Sequence, residues 1–149
     1  MNIDRNEKLL SAWLKLTASL WNERIVMTMS FNEAFVLSLL AKNSKENPYC
    51  PTLTATALCE DTGLLKSQMN RTLNILEDKG YIIRLKSSRD KRVVFVSLTP
   101  AGRAAYHKEH EHILDVVDNI ANRIGDERTD VVSQALEDLA EASKHIERW

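Results

Sequence analysis

The segment between Gly80 and Thr99 constrains the fold most, because it interrupts an otherwise helical pattern with the only clear β signal of the sequence. The runs YIIRLK and VVFVSL are rich in β-branched and aromatic residues, and the charged run SSRDKR separates them. Two such runs predict a pair of short strands joined by a turn. The flanking segments space their apolar residues as helices do. We therefore predict a mainly α-helical chain with one small β-hairpin.

Two capping boxes predict where the first helices begin. Asp4 is followed three residues later by Glu7, and Ser30 is followed three residues later by Glu33. In a capping box, each of the two side chains accepts a hydrogen bond from a backbone N–H group of the first helical turn. We expect the second helix to end near residue 42, because the polar stretch 42–51 contains two prolines and favours a loop.

A helix-turn-helix is predicted between this loop and the hairpin. A short helix ends at Gly63, and a longer helix follows it and is capped by Gly80. After the hairpin, Thr99 and Pro100 have the residue types preferred at an N-cap and at the first helical position. The helix that starts there ends at Gly125, and a last helix follows.

The charge distribution favours a nucleic-acid partner, although the chain as a whole has a net charge of −1. Residues 63–103 contain 9 Lys and Arg against 3 Asp and Glu, whereas residues 104–149 contain 5 against 11. A basic middle region beside an acidic region is typical of a chain in which one part meets phosphates and another does not.

The outer face of the longer helix of the helix-turn-helix has the polar side chains expected for base recognition in a major groove about 12 Å wide. The amides of Gln68 and Asn70 can pair with adenine through two hydrogen bonds, and Arg71 can reach guanine or a phosphate. The predicted DNA-binding residues of this helix are Ser67, Gln68, Asn70, Arg71 and Asn74. A solvated polar helix face is the alternative.

Five cations within nine residues distinguish the hairpin: Arg84, Lys86, Arg89, Lys91 and Arg92. Asp90 is the single acid among them, and the mutual repulsion of the cations disfavours folding. A polyanion would relieve that repulsion, and an arginine at the tip can enter the narrow minor groove of DNA. The alternative is an edge hairpin that uses charge to prevent aggregation.

The run KSQMNRTLNILEDKGYIIRLKSSRDKRVVFVSLTPAG resembles the core of the MarR family of bacterial transcriptional regulators. The matching features are Arg71 within the helix, the Leu-Glu-x-Lys-Gly stop at 76–80, the Asp-x-Arg element at 90–92 and the Leu-Thr-Pro-x-Gly restart at 98–102. The resemblance implies a winged helix-turn-helix homodimer. It also implies that Arg92 enters the minor groove and that Asp90 forms an ion pair that fixes the wing.

The resemblance further implies that the first and last helices of two subunits interlock. We therefore expect dimerisation helices at 1–29 and 104–149, and a winged helix-turn-helix DNA-binding domain at 30–103. The last helix also repeats its apolar residues with a heptad rhythm, although this stripe can alternatively pack within its own subunit. The predicted dimerisation residues are Leu9, Trp13, Leu16, Leu20, Val132, Leu139, Ile146 and Trp149.

Two other kinds of site have weaker support. His107 and His110 lie one turn apart on a helix that supplies zinc ligands in some members of the resembled family, but a closed zinc site takes four ligands. Cys50 and Cys59 have no neighbouring cation to activate a thiolate, and two such cysteines favour a reducing cytoplasm. We therefore expect no metal and no cofactor, with a zinc-responsive regulator as an alternative.

The expected function is that of a cytoplasmic, sequence-specific DNA-binding regulator and ligand-responsive repressor. In the resembled family a small-molecule effector is the usual control device, and the aromatic residues Trp13, Trp21, Phe31 and Phe35, with Met27, are candidates to line its pocket or to form plain core. Motifs of nucleotide-binding or hydrolytic enzymes are absent from the sequence, so we predict no enzymatic activity. A winged-helix module that binds protein rather than DNA is the alternative from another class. The sequence contains no signal-peptide pattern and no membrane-spanning run.

Overall fold

The computed structural model describes residues 1–22, 25–144 and 146, and the side chains of these except residues 20–22. Within that part of the chain, six helices and three strands follow one another. They are α1 (Ile3–Asn22), α2 (Phe31–Glu46), β1 (Leu53–Thr54), α3 (Ala55–Thr62), α4 (Lys66–Asp78), β2 (Ile82–Lys86), β3 (Val94–Leu98), α5 (Pro100–Ile124) and α6 (Asp126–Ser143). The prediction of a mainly helical chain with one hairpin is confirmed.

The chain forms two compact units, Met1–His112 and Ile113–Trp149. The first unit contains the three-stranded sheet, and the second contains the end of α5 and all of α6. Among the described helices, none combines the length and the apolar composition that a membrane span requires.

The sheet has the order β1-β3-β2 and is antiparallel throughout. In the predicted hairpin, Arg84 pairs with Val96 and Leu85 pairs with Phe95. The additional strand β1 pairs Leu53 with Val96 on the other side of β3. Sequence periodicity does not reveal β1, because two residues are too few to show an alternation.

Apolar side chains from α2, α3, α4 and the sheet form one core beneath the helix-turn-helix. The members that are almost fully buried are Val36, Leu37, Leu40, Leu58, Met69, Leu73, Leu76, Ile82 and Val96. Close-packed side chains in a protein core resist displacement. The core therefore holds α4 and the hairpin in a fixed relation.

Two predicted helix boundaries are wrong. In α1 the side chain that accepts from the first turn is Asn2, whose Oδ1 lies 3.1 Å from the Arg5 nitrogen, so the helix begins before Asp4. The second helix, α2, continues to Glu46 because the first proline comes only at residue 48. Asn43 within this extension donates to the carbonyl of Thr52 at 3.2 Å and so holds the following loop.

The predicted stop of α4 at Gly80 is confirmed. Gly80 has a φ of +75°, a left-handed conformation that costs glycine little because it has no Cβ. The Tyr81 N–H donates to the carbonyl of Leu76, and the Gly80 N–H donates to that of Glu77, both at 2.9 Å. These two hydrogen bonds form a Schellman motif, which turns the chain sharply from α4 into the hairpin.

The start of α5 packs against this same turn. Thr99 caps α5 by accepting from the Gly102 N–H at 3.0 Å, and its hydroxyl donates to the Gly80 carbonyl at 2.6 Å. A Cβ added to Gly102 would lie 2.8 Å from the carbonyl carbon of Tyr81 and 3.0 Å from Cδ1 of Leu98. Position 102 therefore requires glycine for close approach of α5 to the backbone.

We predict that Gly102→Ala destabilises the protein, although alanine is the better helix former. The new methyl group meets backbone rather than a flexible side chain, and overpacking of this kind costs about 1–3 kcal/mol. Urea denaturation followed by circular dichroism measures the change. The control is Ala101→Gly at the exposed neighbouring position, where propensity alone costs at most about 1 kcal/mol. A Gly102→Ala variant at least as stable as the wild type would contradict the packing argument.

Candidate nucleic-acid interface

The predicted recognition residues lie together on the outer side of α4. The side chains of Met69, Leu73 and Leu76 are buried on the inner side of the helix. The five polar residues selected from the sequence are all exposed: Ser67, Gln68, Asn70, Arg71 and Asn74. Ser67, Arg71 and Asn74 have the spacing i, i+4, i+7, which places them in one stripe along the helix.

Two of these polar side chains also make contacts within the protein. The Leu65 N–H donates to Oε1 of Gln68 at 2.9 Å, so Gln68 satisfies an otherwise free donor at the start of α4. The Oδ1 of Asn74 accepts from Nη2 of Arg84 at 2.7 Å. The oxygen of each amide therefore accepts one hydrogen bond from the protein itself.

Arg84 connects the hairpin to α4. Its Nε and Nη2 each lie 3.1 Å from a carboxylate oxygen of Glu77, a two-pronged geometry that fixes the guanidinium. These hydrogen bonds, which Arg84 donates and Glu77 accepts, lower the pKa of Glu77 and raise the pKa of Arg84. Only 24% of the Arg84 side chain is exposed. The sequence analysis placed Arg84 among the DNA contacts and did not identify Glu77 as its partner. The available signal was an acid seven residues before an arginine.

The wing consists of β2, β3 and the connecting residues 87–93. Its tip is shaped by backbone hydrogen bonds, because the Val93 N–H donates to the Asp90 carbonyl at 3.0 Å and the Ser87 N–H donates to the Val93 carbonyl at 2.9 Å. The Asp90 carboxylate accepts from the Arg92 N–H at 3.0 Å. Its ion pair with the Arg92 side chain is longer, at 3.9 Å, so Asp90 acts on the wing mainly through the backbone.

The remaining cations of the wing face solvent. Lys86, Arg89, Lys91 and Arg92 are all exposed, and 95% of the Arg92 side chain is accessible. Within nine residues, the structure thus separates one cation that is held by the protein from four that are presented outwards.

Glu109 anchors α5 to the segment before α2. Its carboxylate accepts hydrogen bonds from the Met27 N–H, from the Thr28 N–H at 3.0 Å and from the Thr28 hydroxyl at 2.7 Å. Burial raises the pKa of Glu109, but these hydrogen bonds outweigh it and the net pKa is below the ordinary value. Sequence reasoning counted Glu109 only among the neighbours of the histidines. Its position three residues after Tyr106 and four before Ile113, on the inner seam, was the missed signal.

Glu33 anchors the start of α2 to the end of α4. It completes the predicted capping box with Ser30, and its Oε1 lies 2.6 Å from Nζ of Lys79. Burial raises the pKa of Glu33, but the hydrogen bonds from Lys79 and Ser30 lower it further, to a net value below the ordinary one. The capping box fixes where α2 begins, and the ion pair fixes where α4 ends relative to it.

The histidines of α5 pack against an aromatic ring. His110 stacks on Tyr106 with ring centroids 5.2 Å apart, and the His107 ring lies 5.4 Å from the same ring. No cluster of three or more His, Cys, Asp or Glu side chains suited to a metal ion occurs in the part of the chain that the structure describes. Cys50 is exposed and Cys59 partly buried, both as free thiols.

A shallow cleft of about 400 Å³ lies beside the start of α5. Its lining consists of Leu98, Thr99, Pro100, Arg103, Ala104 and His107. Phe31 and Phe35, two of the aromatic residues considered for an effector pocket, do not belong to this lining; their rings pack against each other with centroids 6.0 Å apart.

The order of the elements, with a recognition helix followed by a basic hairpin, defines a winged helix-turn-helix protein. A sequence model of the MarR family matches residues 28–93. The HTH-type transcriptional regulator FarR of Neisseria gonorrhoeae is 30% identical over 105 residues, which span 70% of this chain and 67% of FarR. The chain belongs to the MarR family of DNA-binding transcriptional regulators.

Solved structures share the fold of this chain. NadR in complex with 4-hydroxyphenylacetate is 26% identical, with a TM-score of 0.63 over 91% of each chain. A mutant of MarR from E. coli complexed with operator DNA is 19% identical, with a TM-score of 0.71 over 90% of this chain and 96% of that one.

We predict that Glu109→Gln lowers the free energy of unfolding at pH 7 by about 1–3 kcal/mol, because an amide nitrogen then faces donors that need an acceptor. The lowered pKa means that the carboxylate stabilises the folded state above its ordinary value of 4.5 and loses this effect as the pH falls through the folded value. The difference between wild type and variant should therefore shrink at pH 3.

Urea denaturation at the two pH values measures this difference. The control is Glu111→Gln at an exposed position of the same helix, which should change stability by less than about 0.5 kcal/mol. An equal effect of Glu109→Gln at pH 7 and pH 3 would show that charge does not carry the anchoring.

Proposed function

We propose that this regulator binds a pseudo-palindromic operator as a homodimer, with α4 in the major groove and the tip of the wing in the minor groove. The observation that carries the proposal is the exposure of Lys86, Arg89, Lys91 and Arg92 at one tip, with Asp90 as the only acid beside them.

The exposed cations favour DNA over a protein partner. Like charges so close together repel one another and gain most from a dense line of phosphates, which releases counterions on binding. A protein-docking wing needs no such density of charge. The narrow minor groove concentrates negative potential, and a single extended arginine such as Arg92 can enter it.

The contacts of α4 are proposed to divide by role. Arg71, in the middle of the outer stripe, reaches base edges or a phosphate, and Ser67 at the first turn donates to a phosphate. Asn70 lies on the flank of the stripe, where its amide can pair with a base. Arg84, held by Glu77 and Asn74, is proposed to position the wing and not to bind a phosphate.

Exposed apolar surface supports the homodimer. In α6 no residue is buried, and a helix with an unburied apolar stripe gains little stability on its own. Side chains of the predicted dimer seams that are exposed in the single chain are Leu9, Trp13, Leu16, Val132, Leu139 and Ile146. The side chains of Leu20 and Trp149, also predicted for these seams, lie outside the described residues.

We also propose that a small molecule controls DNA binding and that the bound dimer represses transcription. The similarity to NadR, whose structure contains 4-hydroxyphenylacetate, supports the effector. Repression follows where the operator overlaps a promoter, which footprinting on selected genomic fragments tests.

We predict that Arg89→Ala combined with Arg92→Ala weakens binding to all duplexes and reduces its salt dependence. Each lost phosphate contact lowers the slope of log affinity against log salt by about 0.9, so the double variant should lose up to about 1.8. Fluorescence anisotropy with a selected operator, at salt concentrations between about 50 and 300 mM, measures the slope.

The control for this experiment is Arg128→Ala, which removes an exposed cation of α6 and should leave the slope unchanged. If the double variant and the control give the same slope as the wild type, the wing does not neutralise phosphates and the proposed binding mode fails.

We predict that the purified chain sediments as a dimer at micromolar concentration and that Leu139→Lys makes it a monomer. A lysine buried without a partner in an apolar seam costs several kcal/mol, which corresponds to a dimer dissociation constant at least about a hundredfold higher. Glu137→Lys, at a neighbouring exposed position, is the matched control and should remain dimeric. Monomeric wild type would refute the dimer.

A further inference from the structure

We propose that Gln68 and Asn74 act on DNA mainly as hydrogen-bond donors, because each amide turns its oxygen towards a donor of the protein, so that they favour guanine or thymine over adenine. Arg84 is the positioning residue that imposes this on Asn74. This inference rests on the proposed binding of α4 in the major groove, and it replaces the sequence-based expectation that the Gln68 amide pairs with adenine through two hydrogen bonds.

The orientation of the Gln68 amide is fixed by the start of α4. The Leu65 N–H can only donate, so the atom 2.9 Å from it must be the amide oxygen. An amide whose oxygen and nitrogen are otherwise hard to distinguish is thus assigned by its partner. The oxygen caps the helix, and the Nε2 group is left to donate to an outside acceptor.

The orientation of the Asn74 amide is fixed by Arg84. A guanidinium has donors and no acceptor, so its Nη2 must meet the Asn74 oxygen, at 2.7 Å. Glu77 holds the same guanidinium with two hydrogen bonds of 3.1 Å and prevents it from turning away. The Nδ2 group of Asn74, in the outer stripe of α4, is therefore left as a donor.

Donors alone distinguish the bases in the major groove. Adenine presents N7 as an acceptor and N6 as a donor, and an amide pairs with both only if its oxygen and its nitrogen face the base together. The oxygens of Gln68 and Asn74 keep a second lone pair, but each is held against a donor of the protein. Guanine presents two acceptors, N7 and O6, and thymine presents O4. Asn70, whose exposed amide has neither the Leu65 contact nor the Arg84 contact, remains able to pair with adenine in the expected way.

The test is selection of bound duplexes from a random library, followed by affinities for all four bases at each position. The contact of Arg84 with Glu77 and Asn74 is called the clamp. The double variant Arg84→Ala/Glu77→Ala removes the clamp, keeps the net charge and leaves the Asn74 oxygen without its partner in the protein. We expect adenine to gain about tenfold relative to guanine at one position of each half-site, together with weaker binding of all sequences because the wing is no longer fixed. If the base preference stays the same at every position, the inference is overturned.

A second variant covers the case in which the double variant fails to fold. Asn74→Asp keeps an acceptor for Arg84 and so keeps the clamp, but it removes the donor. We expect the preference for guanine or thymine to fall about tenfold at one position only. The new carboxylate also repels phosphates and weakens every sequence alike, so the base preference is the readout. An unchanged preference at every position would overturn the inference.

Gln68→Glu tests the other amide, because glutamate keeps the cap on the Leu65 N–H and removes the donor. We expect the preference at one position to shift towards cytosine, whose N4 group donates. Lys86→Ala is the control for all three variants and should weaken every sequence alike. If the wild-type protein selects no sequence, the proposed function itself is refuted. If it selects a motif and these variants leave that motif unchanged, only the assignment of the two amides as donors is refuted.

Discussion

The contact of Arg84 with Glu77 and Asn74 is the interaction on which the DNA-binding surface depends. A recognition helix and a wing can engage two grooves only if the distance between them is fixed. The apolar core holds α4 and the hairpin from the inside, and the contact of Arg84 holds them at the surface. The Arg84 guanidinium joins β2 to the last turns of α4 through three hydrogen bonds. It also forms an ion pair with the acid Glu77 on the proposed DNA-binding surface, so one side chain provides both a rigid contact and the neutralisation of a charge.

Two buried carboxylates secure the rest of this lobe. Glu33 joins the start of α2 to the end of α4, and Glu109 joins α5 to the residues just before α2. Both oxygens of each carboxylate accept hydrogen bonds from N–H, O–H or ammonium donors, which compensates the cost of burying charge. Short polar contacts around one apolar core thus fix the start of α2, the end of α4 and the attachment of α5.

The sequence predicts those elements whose signals are local. The hairpin, the Gly80 stop, the Ser30 capping box and the Thr99 restart are specified by neighbouring residues, and the structure contains all four. The requirement for glycine at 102 is not local, because it arises from the approach of α5 to a carbonyl twenty-one positions earlier in the chain. The role of Glu109 likewise depends on a partner more than eighty positions away, which periodicity cannot indicate.

Residue type also predicts less about recognition than it suggests. Asn70 and Asn74 are the same amide on the same helix, but only Asn74 meets Arg84. A hydrogen-bonding group that already serves the fold presents a smaller set of partners to a ligand than its chemical formula contains. If α4 reads bases as proposed, its base preference depends on which lone pairs the protein has already used. The contact of Arg84 with Asn74 and the cap at Leu65 then contribute to that preference together with the residues that touch the groove.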